Sequence, residues 1–208
     1  NKFLDLIKIP VVTTWSGIDT IAYNNNYHIG QIGVYGTRGG NFAIQNSDLV
    51  LCLGSRLDTR VTGGQPKTFA RNAKIIMVDI DKGELSKRRG IKPYIEINTN
   101  VNFFLKNILN KRINYIFSNH KQHRMWLKKC ISWKKRYPAV SKDFSSDKSY
   151  VNPYLFIEQL SKQLNKNDII IPDSAGHLAW CMQAFKVKLG QRVFTSFGHC
   201  PMGYGLPA

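Results

Sequence analysis

The chain has 208 residues, of which 43% are hydrophobic and 12% aromatic, enough apolar surface to bury a core and to exclude disorder of the whole chain. No apolar run approaches the roughly 20 residues that a membrane-spanning helix requires, so no membrane span is expected. The formal net charge of +17 is unusual for a metabolic enzyme and would attract anionic partners.

Residues 1–109 alternate short apolar runs with amphipathic stretches, a pattern typical of βαβ units around a parallel sheet. Two of the predicted strands are nearly continuous in apolar residues, as expected for strands covered on both faces. The predicted elements are strands at 9–14, 48–54 and 74–81, a short helix at 42–46, a crossing segment at 66–71 and a closing helix at 101–109.

An amphipathic helix is predicted at 119–137. Its aromatic stripe falls at helical spacing on one face, with lysines and arginines opposite, which indicates a packing surface rather than a base-stacking platform. The stripe consists of Trp126, Cys130, Trp133 and Tyr137. Residues 106–142 hold eleven Lys or Arg and no Asp or Glu. This charge would attract nucleic acid, but a solvated face or a surface matched to an acidic partner domain is favoured, so nucleic acid is not expected to bind.

The polar stretch 138–150 reads as a linker, and a new unit begins after it. Asn152 is a plausible N-cap, with Pro153 at the first helical position. A helix face is predicted from four apolar residues, Phe156, Ile157, Leu160 and Leu164. A strand at 169–172, a helix at 178–185 and a strand at 192–197 follow, before a glycine-rich ending.

These patterns divide the chain into three parts. Residues 1–118 are predicted to form a doubly wound parallel-sheet α/β domain, 119–150 the basic helix and linker, and 151–208 the start of a second α/β domain. One helix, two strands and part of another helix do not close a domain, so we expect the second domain to be incomplete. The chain also lacks an initiating Met, so we expect the natural protein to begin earlier.

The four cysteines are widely scattered and form no CxxC pair. No histidine cluster completes a zinc site, so we expect reduced thiols and no metal ligands in this chain. The N-terminal stretch has neither a long apolar segment nor a small-residue cleavage site, which argues against a signal peptide. A cytoplasmic protein is therefore expected.

Polar residues gather where strands of the first domain are predicted to end. Ligands bind beyond the carboxyl ends of strands in doubly wound sheets, where Asp79 would accept ribose hydroxyls. Arg56 and Arg60 are cations suited to phosphate, and several glycines would allow close backbone approach. The glycines are Gly33, Gly36, Gly39 and Gly40. The dinucleotide fingerprint GxGxxG is absent, however, and a loop braced by Arg–Asp pairing explains the same residues equally well.

Two long motifs carry a family resemblance. The run GVYGTRGGNFAIQNSDLVLCLGSRLDTRVTG followed by FARNAKIIMVDID resembles the central domain of the acetolactate synthase family of thiamine-diphosphate-dependent enzymes. The runs DSAGHLAWCMQAF and QRVFTSFGHCPMGYGLPA resemble the start of the thiamine-diphosphate-binding domain of that family. The resemblance covers nearly all of the chain outside 110–150 and implies that 151–208 belong to the cofactor-binding domain.

In flavin-containing members of that family the central domain binds FAD, while some relatives have lost the flavin. Tyr35 replaces a histidine often seen in the family and Asn98 replaces an aspartate, so retention of FAD stays open. Carried over by position, the residues implied for FAD are Thr14, Trp15, Ile32, Gly33, Val34, Tyr35, Gly54, Ser55, Arg56, Leu57, Asp58, Asp79, Ile80, Asn98 and Thr99.

The resemblance also implies a thiamine diphosphate site, formed by Gly176, His177, Cys200, Pro201 and Met202. The Cys200 carbonyl would accept a hydrogen bond from the aminopyrimidine, and Met202 would hold the cofactor in its bent form. His177 would donate a hydrogen bond or a proton near the reacting carbon. His177 and Met202 are thus the catalytic candidates. The alternatives are a helix N-terminal histidine without a role and a methionine of the core.

The implied activity is a 2-oxo acid decarboxylase and carboligase, most simply one that converts two pyruvate molecules to 2-acetolactate and CO₂. The Mg²⁺ ligands of the family and its activating glutamate lie outside this chain, so we expect the chain alone to be inactive. The resemblance further implies a homodimer or tetramer. Two other hypotheses stay open: a related carboligase of surface-sugar metabolism, and a non-catalytic module that binds nucleotide or nucleic acid.

Overall fold

The computed structural model describes residues 2–87, 90–110, 120–144 and 149–208. The predicted domain boundary at 118 and part of the predicted linker lie outside these residues. The helices are α1 (Lys2–Ile7), α2 (Arg38–Gln45), α3 (Thr59–Thr62), α4 (Lys82–Ser86), α5 (Val101–Asn110), α6 (His120–Arg136), α7 (Pro153–Gln163) and α8 (Gly176–Ala184). The strands are β1 (Val11–Thr13), β2 (His28–Gln31), β3 (Leu49–Leu53), β4 (Lys74–Asp79), β5 (Ile95–Asn98), β6 (Ile169–Ile170) and β7 (Arg192–Val193), with 3₁₀ turns at Trp15–Gly17 and Pro66–Thr68.

The strands form three parallel sheets, which confirms the predicted α/β class. Strands β3, β4 and β5 are hydrogen-bonded in that order, β1 pairs with β2, and β6 pairs with β7. Leu49 lies opposite Lys74 and Leu53 opposite Val78. Neighbouring parallel strands end at the same edge of a sheet, so the loops after β3 and β4 lie side by side.

Three clusters of buried side chains hold these elements together. The first covers β3 and β4 and includes Val50, Cys52 and Met77. The second joins α8 to β7. It also includes Ile18, which is fully buried although it lies far earlier in the chain. The third lies between α2 and α6. Because Ile18 packs among residues of 178–193, the N-terminal part of the chain helps to form the core of the C-terminal part.

The aromatic stripe of α6 packs as predicted. The Phe42 ring of α2 lies edge-on to Trp133 at 5.9 Å and to Tyr137 at 5.5 Å, and Cys130 is fully buried. A Cβ atom on Gly39 would lie 3.0 Å from the backbone of Lys134, so glycine permits this close approach of the two helices.

Lys134 departs from the predicted segregation of charge. Its ammonium group donates to the carbonyl oxygens of Tyr23 at 2.9 Å and His28 at 2.8 Å. Burial, with a smaller contribution from Lys186, lowers the pKa of Lys134 to about 8. One cation of the basic helix, half-buried Lys134, is therefore a structural link between α6 and the segment that holds Tyr23 and His28.

Several predictions about individual elements were wrong. Helix α2 begins four residues before the predicted start at 42, because the Thr37 side chain caps it by accepting from the Gly40 N–H. The strand predicted at 192–197 is only two residues long. Phe156, assigned to the buried face of α7, is 53% exposed. The cap at Asn152 is confirmed, since its side chain accepts from the N–H groups of Tyr154 and Leu155.

None of the helices in the described ranges is both long and apolar enough to cross a membrane.

Candidate functional site

A cleft lies where β3 and β4 end, and we call it the strand-end cleft. It has a volume of about 620 Å³. It is lined by Gly54, Arg56, Asp79, Ile80, Asp81, Glu84, Asn100, Val101 and Asn102. Gly54 has a φ of 60°, a conformation that glycine adopts without strain. The structure thus brings four of the residues implied for FAD to one place.

The Arg56 side chain is engaged in this cleft. Its guanidinium nitrogen Nη2 lies 3.0 Å from Glu84 Oε1, and Lys87 contacts the same oxygen. The hydrogen bond from Lys87 is the largest of the effects that hold the pKa of Glu84 below its ordinary value, and Arg56 contributes too. The expected bracing of the loop by arginine is therefore present, but the partner is Glu84 and not an aspartate.

Asn98 and Thr99 fix the end of β4. The Asn98 amide donates to the carbonyl oxygens of Asp79 at 3.1 Å and Ile80 at 2.9 Å. The Thr99 N–H donates to the Asp79 carbonyl at 3.0 Å. The Asp79 carboxylate, on a residue only 8% exposed, accepts from the Asp81 N–H at 2.9 Å. These bonds fix the end of the strand, where Asp79 lines the cleft.

A second group of residues implied for FAD surrounds the loop after β2. The Trp15 and Tyr35 rings are stacked with centroids 5.5 Å apart, and Tyr35 is 53% exposed. Gly33 has a φ of 116°, and a Cβ atom there would collide with the Arg60 carbonyl oxygen. That oxygen accepts from the Val34 N–H at 2.9 Å. The loops after β2 and β3 are thereby held against each other.

The remaining residues of the FAD prediction have local structural roles. Asp58 caps α3, its side chain accepting from the N–H groups of Arg60 and Val61. Leu57 is buried, at 4% exposure, and has a φ of 47°. Buried Ile32 belongs to the core around β3 and β4. Ser55 and Thr14 are half-buried beside these loops.

The residues implied for thiamine diphosphate lie at the start of α8 and in a segment that we call the C-terminal loop (residues 196–203). The Cys200 carbonyl accepts from the Ser174 hydroxyl at 2.8 Å, and Cys200 has a φ of 48°. Met202 is 86% exposed. His177 and Gly176 are exposed in the first turn of α8, and Pro201 is exposed in the loop.

Asp173 lies next to both segments that carry the residues implied for thiamine diphosphate. Its carboxylate accepts from the Ser174 N–H at 2.6 Å and from the Gly203 N–H at 2.8 Å. The backbone bond from Ser174, followed by those from Gly203 and Gly205 and the charge of His177, lowers the pKa of Asp173 against a smaller opposing effect of desolvation. Asp173 and Ser174 belong to the motif DSAGHLAWCMQAF, but no role was predicted for them. Their position directly after a predicted strand was the available signal.

Arg60 joins the residues implied for FAD to those implied for thiamine diphosphate. Its guanidinium Nη1 donates to the Phe197 carbonyl at 2.9 Å, and Nη2 lies 3.1 Å from Cys200 Sγ. The Trp15 and Phe197 rings lie 6.2 Å apart. Contacts over such a distance in sequence leave no local pattern. Arg60 was therefore predicted as a cation, but its partners Phe197 and Cys200 were not. Within the described ranges, no three His, Cys, Asp or Glu residues are placed to hold a metal ion.

Residues 1–108 match the family described as thiamine pyrophosphate enzyme, central domain. The whole chain is 36% identical over 211 residues to the acetolactate synthase large subunit of Cyanidium caldarium and covers 34% of that protein. It is 30% identical over 208 residues to the acetolactate synthase isozyme 2 large subunit of Escherichia coli K12, covering 35% of it. Against the chloroplastic acetolactate synthase 1 of Nicotiana tabacum, the identity is 31% over 213 residues, with all of this chain and 30% of that protein covered. The chain thus spans about a third of the length of the curated relatives that it matches.

Proposed function

The chain belongs to the thiamine pyrophosphate enzyme family, and from this premise we propose that it is part of a thiamine-diphosphate-dependent 2-oxo acid decarboxylase and carboligase. The reaction proposed for the full-length protein is that of an acetolactate synthase, in which two pyruvate molecules give 2-acetolactate and CO₂. The relatives that support this proposal are named acetolactate synthases and align with the whole chain. They do not favour a surface-sugar carboligase or a non-catalytic binding module.

The observation that carries the proposal is the geometry of the C-terminal loop. The Cys200 carbonyl already accepts one hydrogen bond, from Ser174, and a carbonyl oxygen has a second lone pair for a ligand donor. The Met202 thioether stands 86% exposed, so a ligand could cover it without displacing core residues. Both features fit a cofactor that is bound by a hydrogen bond to a main-chain oxygen and by contact with an apolar side chain.

We assign roles to these residues on that basis. Thiamine diphosphate supplies a stabilised carbanion when it is bound. The Cys200 carbonyl would orient the aminopyrimidine, with Pro201 beside it, and Met202 would support the bent form. His177 next to Gly176 is exposed at the start of α8, where it could hold a proton near the reacting carbon. The Mg²⁺ that accompanies the diphosphate would take its ligands from outside this chain.

FAD is the second proposed ligand, and the strand-end cleft suits only part of it. Asp79 and Asp81 face the cleft and could accept hydroxyl hydrogen bonds, whereas a diphosphate would be repelled by them. Arg56, the cation that would offset this repulsion, is paired with Glu84. We therefore propose that the cleft holds a hydroxyl-bearing portion of the flavin nucleotide, with the Trp15–Tyr35 stack as the surface for its rings.

The test of the main proposal is turnover in the full-length protein. Pyruvate consumption and 2-acetolactate formation should require added thiamine diphosphate and Mg²⁺. Met202→Ala and His177→Ala should each lower kcat by about 10²-fold or more, as expected for positioning and proton transfer. Exposed Arg71, which lies outside both groups of site residues, provides the control Arg71→Ala, which should keep full activity. Unaltered turnover in both site variants would overturn the assignment.

We also propose that the full-length protein is a homodimer or tetramer, as the family resemblance implies. Sedimentation across a range of protein concentrations would test this. A monomer that retains full activity would contradict it.

A further inference from the structure

The main chain of Arg60 is fixed within the residues that match the central-domain family, 1–108, which we call the central unit. Its N–H donates to Asp58 Oδ1 at 2.9 Å, and its carbonyl accepts from the Val34 N–H at 2.9 Å. The base of the side chain therefore cannot shift without breaking the loops after β2 and β3. The guanidinium group leaves this fixed base and ends on the C-terminal loop.

We propose that Arg60 is a positioning residue that holds the C-terminal loop in the shape presenting Cys200 and Met202. The inference rests on the proposed function, because it gives that loop a cofactor to present. Planar guanidinium groups donate in a fixed fork, and here the two branches reach different residues of the loop, the Phe197 carbonyl and the Cys200 thiol. A forked contact fixes both the distance and the orientation of the loop.

The backbone at Cys200 explains why the loop needs such a contact. A φ of 48° is unfavourable for a residue with a Cβ atom, and such a conformation persists only where surrounding contacts enforce it. The Cys200 N–H donates to the Ser196 carbonyl at 2.8 Å and the Cys200 carbonyl accepts from Ser174. The Cys200 thiol donates to the Phe197 carbonyl at 3.3 Å and accepts from Arg60 at 3.1 Å. Among these partners of Cys200, Arg60 is the one that comes from the central unit.

The Trp15 ring reinforces the same connection. It stacks on Tyr35 on the side of the central unit and approaches Phe197 on the side of the loop. Aromatic pairs at these distances stabilise modestly. Trp15 therefore limits how far the loop can move, whereas the guanidinium fork specifies where it lies.

The first experiment measures the thiamine diphosphate concentration for half-maximal activity in the full-length protein. Arg60→Ala should raise it about fivefold to tenfold, the range expected for losing a charge-assisted hydrogen bond at an exposed site. Arg60→Lys keeps the charge but not the fork, and should give a smaller rise. The KM for pyruvate should stay unchanged in both, as should all constants of Arg71→Ala. A raised KM for pyruvate with an unchanged requirement for thiamine diphosphate would overturn the proposal.

The second experiment does not depend on turnover. Cys200 is half-buried, whereas Cys52, Cys130 and Cys181 are buried. Alkylation of Cys200 would be followed by peptide mass spectrometry in the cofactor-free full-length protein, and rates compared at the high-pH plateau where the thiol is fully ionised. Arg60→Ala should raise the plateau rate at least about threefold, since thiol reactivity there follows access.

The two experiments separate two kinds of failure. If the wild-type protein shows no turnover that depends on thiamine diphosphate, the proposed function fails while the alkylation result still stands. If the Cys200 alkylation rate is the same in wild type, Arg60→Ala and Arg71→Ala, Arg60 does not position the loop, whatever the activity.

Discussion

The strand-end cleft and the C-terminal loop both lie beyond the carboxyl ends of parallel strands, but they are built differently. The cleft rests on the continuous five-residue pairing of β3 with β4, and its hydrogen bonds mostly join neighbouring segments of the same unit. The C-terminal loop follows strands of two residues each. Its contacts from Arg60 span 137 and 140 residues of sequence.

This difference separates a site whose shape is largely local from one whose shape is imposed from elsewhere in the chain. Local hydrogen bonds form with little loss of chain entropy, whereas long-range contacts must offset the entropy of ordering the loop. The C-terminal loop should therefore respond to changes in the central unit, and the strand-end cleft should not respond to changes in the loop.

The largest loss of stability is expected from a substitution of Ile18. This substitution tests whether the C-terminal part of the chain depends on the central unit for its core. Its fully buried side chain lies in the core of α8 and β7. Ile18→Ala should lower the free energy of unfolding by about 3 kcal/mol through lost burial and a cavity. Urea denaturation would measure this, with Ile18→Val as a control that should lose only about 1 kcal/mol. Equal stability of the Ala variant and wild type would show that the C-terminal core forms without Ile18.

An intermediate loss of stability is expected when the pH is lowered, because His28 of the central unit stays unprotonated in the folded chain. Burial, and then the charge of Lys134, lower the pKa of His28 to about 4. The unfolded chain binds the proton between pH 6.5 and about 4 while the folded chain does not, so stability falls with falling pH across this window. The expected loss across this window is about 2.5 kcal/mol. His28→Phe should flatten that part of the stability curve, and an equally steep curve in this variant would contradict the assignment.

The smallest change in stability is expected from substitutions of Cys200. It tests whether the backbone of the C-terminal loop is held in a left-handed conformation at this position. Cys200→Gly and Cys200→Ala both remove the thiol, but only glycine adopts a φ of 48° without strain. The Gly variant should be more stable than the Ala variant by about 1 kcal/mol. Thermal denaturation of the two variants would measure this difference. An Ala variant as stable as the Gly variant would mean that the backbone at position 200 is not held in this conformation.

Sequence patterns predicted the parts of the fold that depend on local chemistry. The stripe of α6 and the cap at Asn152 follow from helical spacing and from the preference of the N-cap for a side-chain acceptor, and both are confirmed. Strand β2 went unpredicted because its sequence, HIGQ, is polar although all four residues are buried. Here the position of the strand in the fold overrides its intrinsic propensity.

The candidate site was predictable only as a set of residues. Family motifs pointed to Asp79, Cys200 and Met202, and no property of the motifs could reveal that Arg56 pairs with Glu84. Lys134 was placed on a solvent face because lysine is rarely buried, and its two carbonyl acceptors, those of Tyr23 and His28, lie more than a hundred residues away in the chain. Partners that are distant in sequence are the information that spacing does not contain.

The central claim is that the C-terminal loop grips thiamine diphosphate. Hydrogen exchange of the full-length protein, with and without thiamine diphosphate and Mg²⁺, tests it most directly, because it reports which backbone amides the cofactor protects. The account predicts slower exchange in residues 196–203 and at the start of α8, and little change in the β3–β4 pairing. Protection that appears elsewhere in the protein while residues 196–203 exchange at an unchanged rate would contradict it.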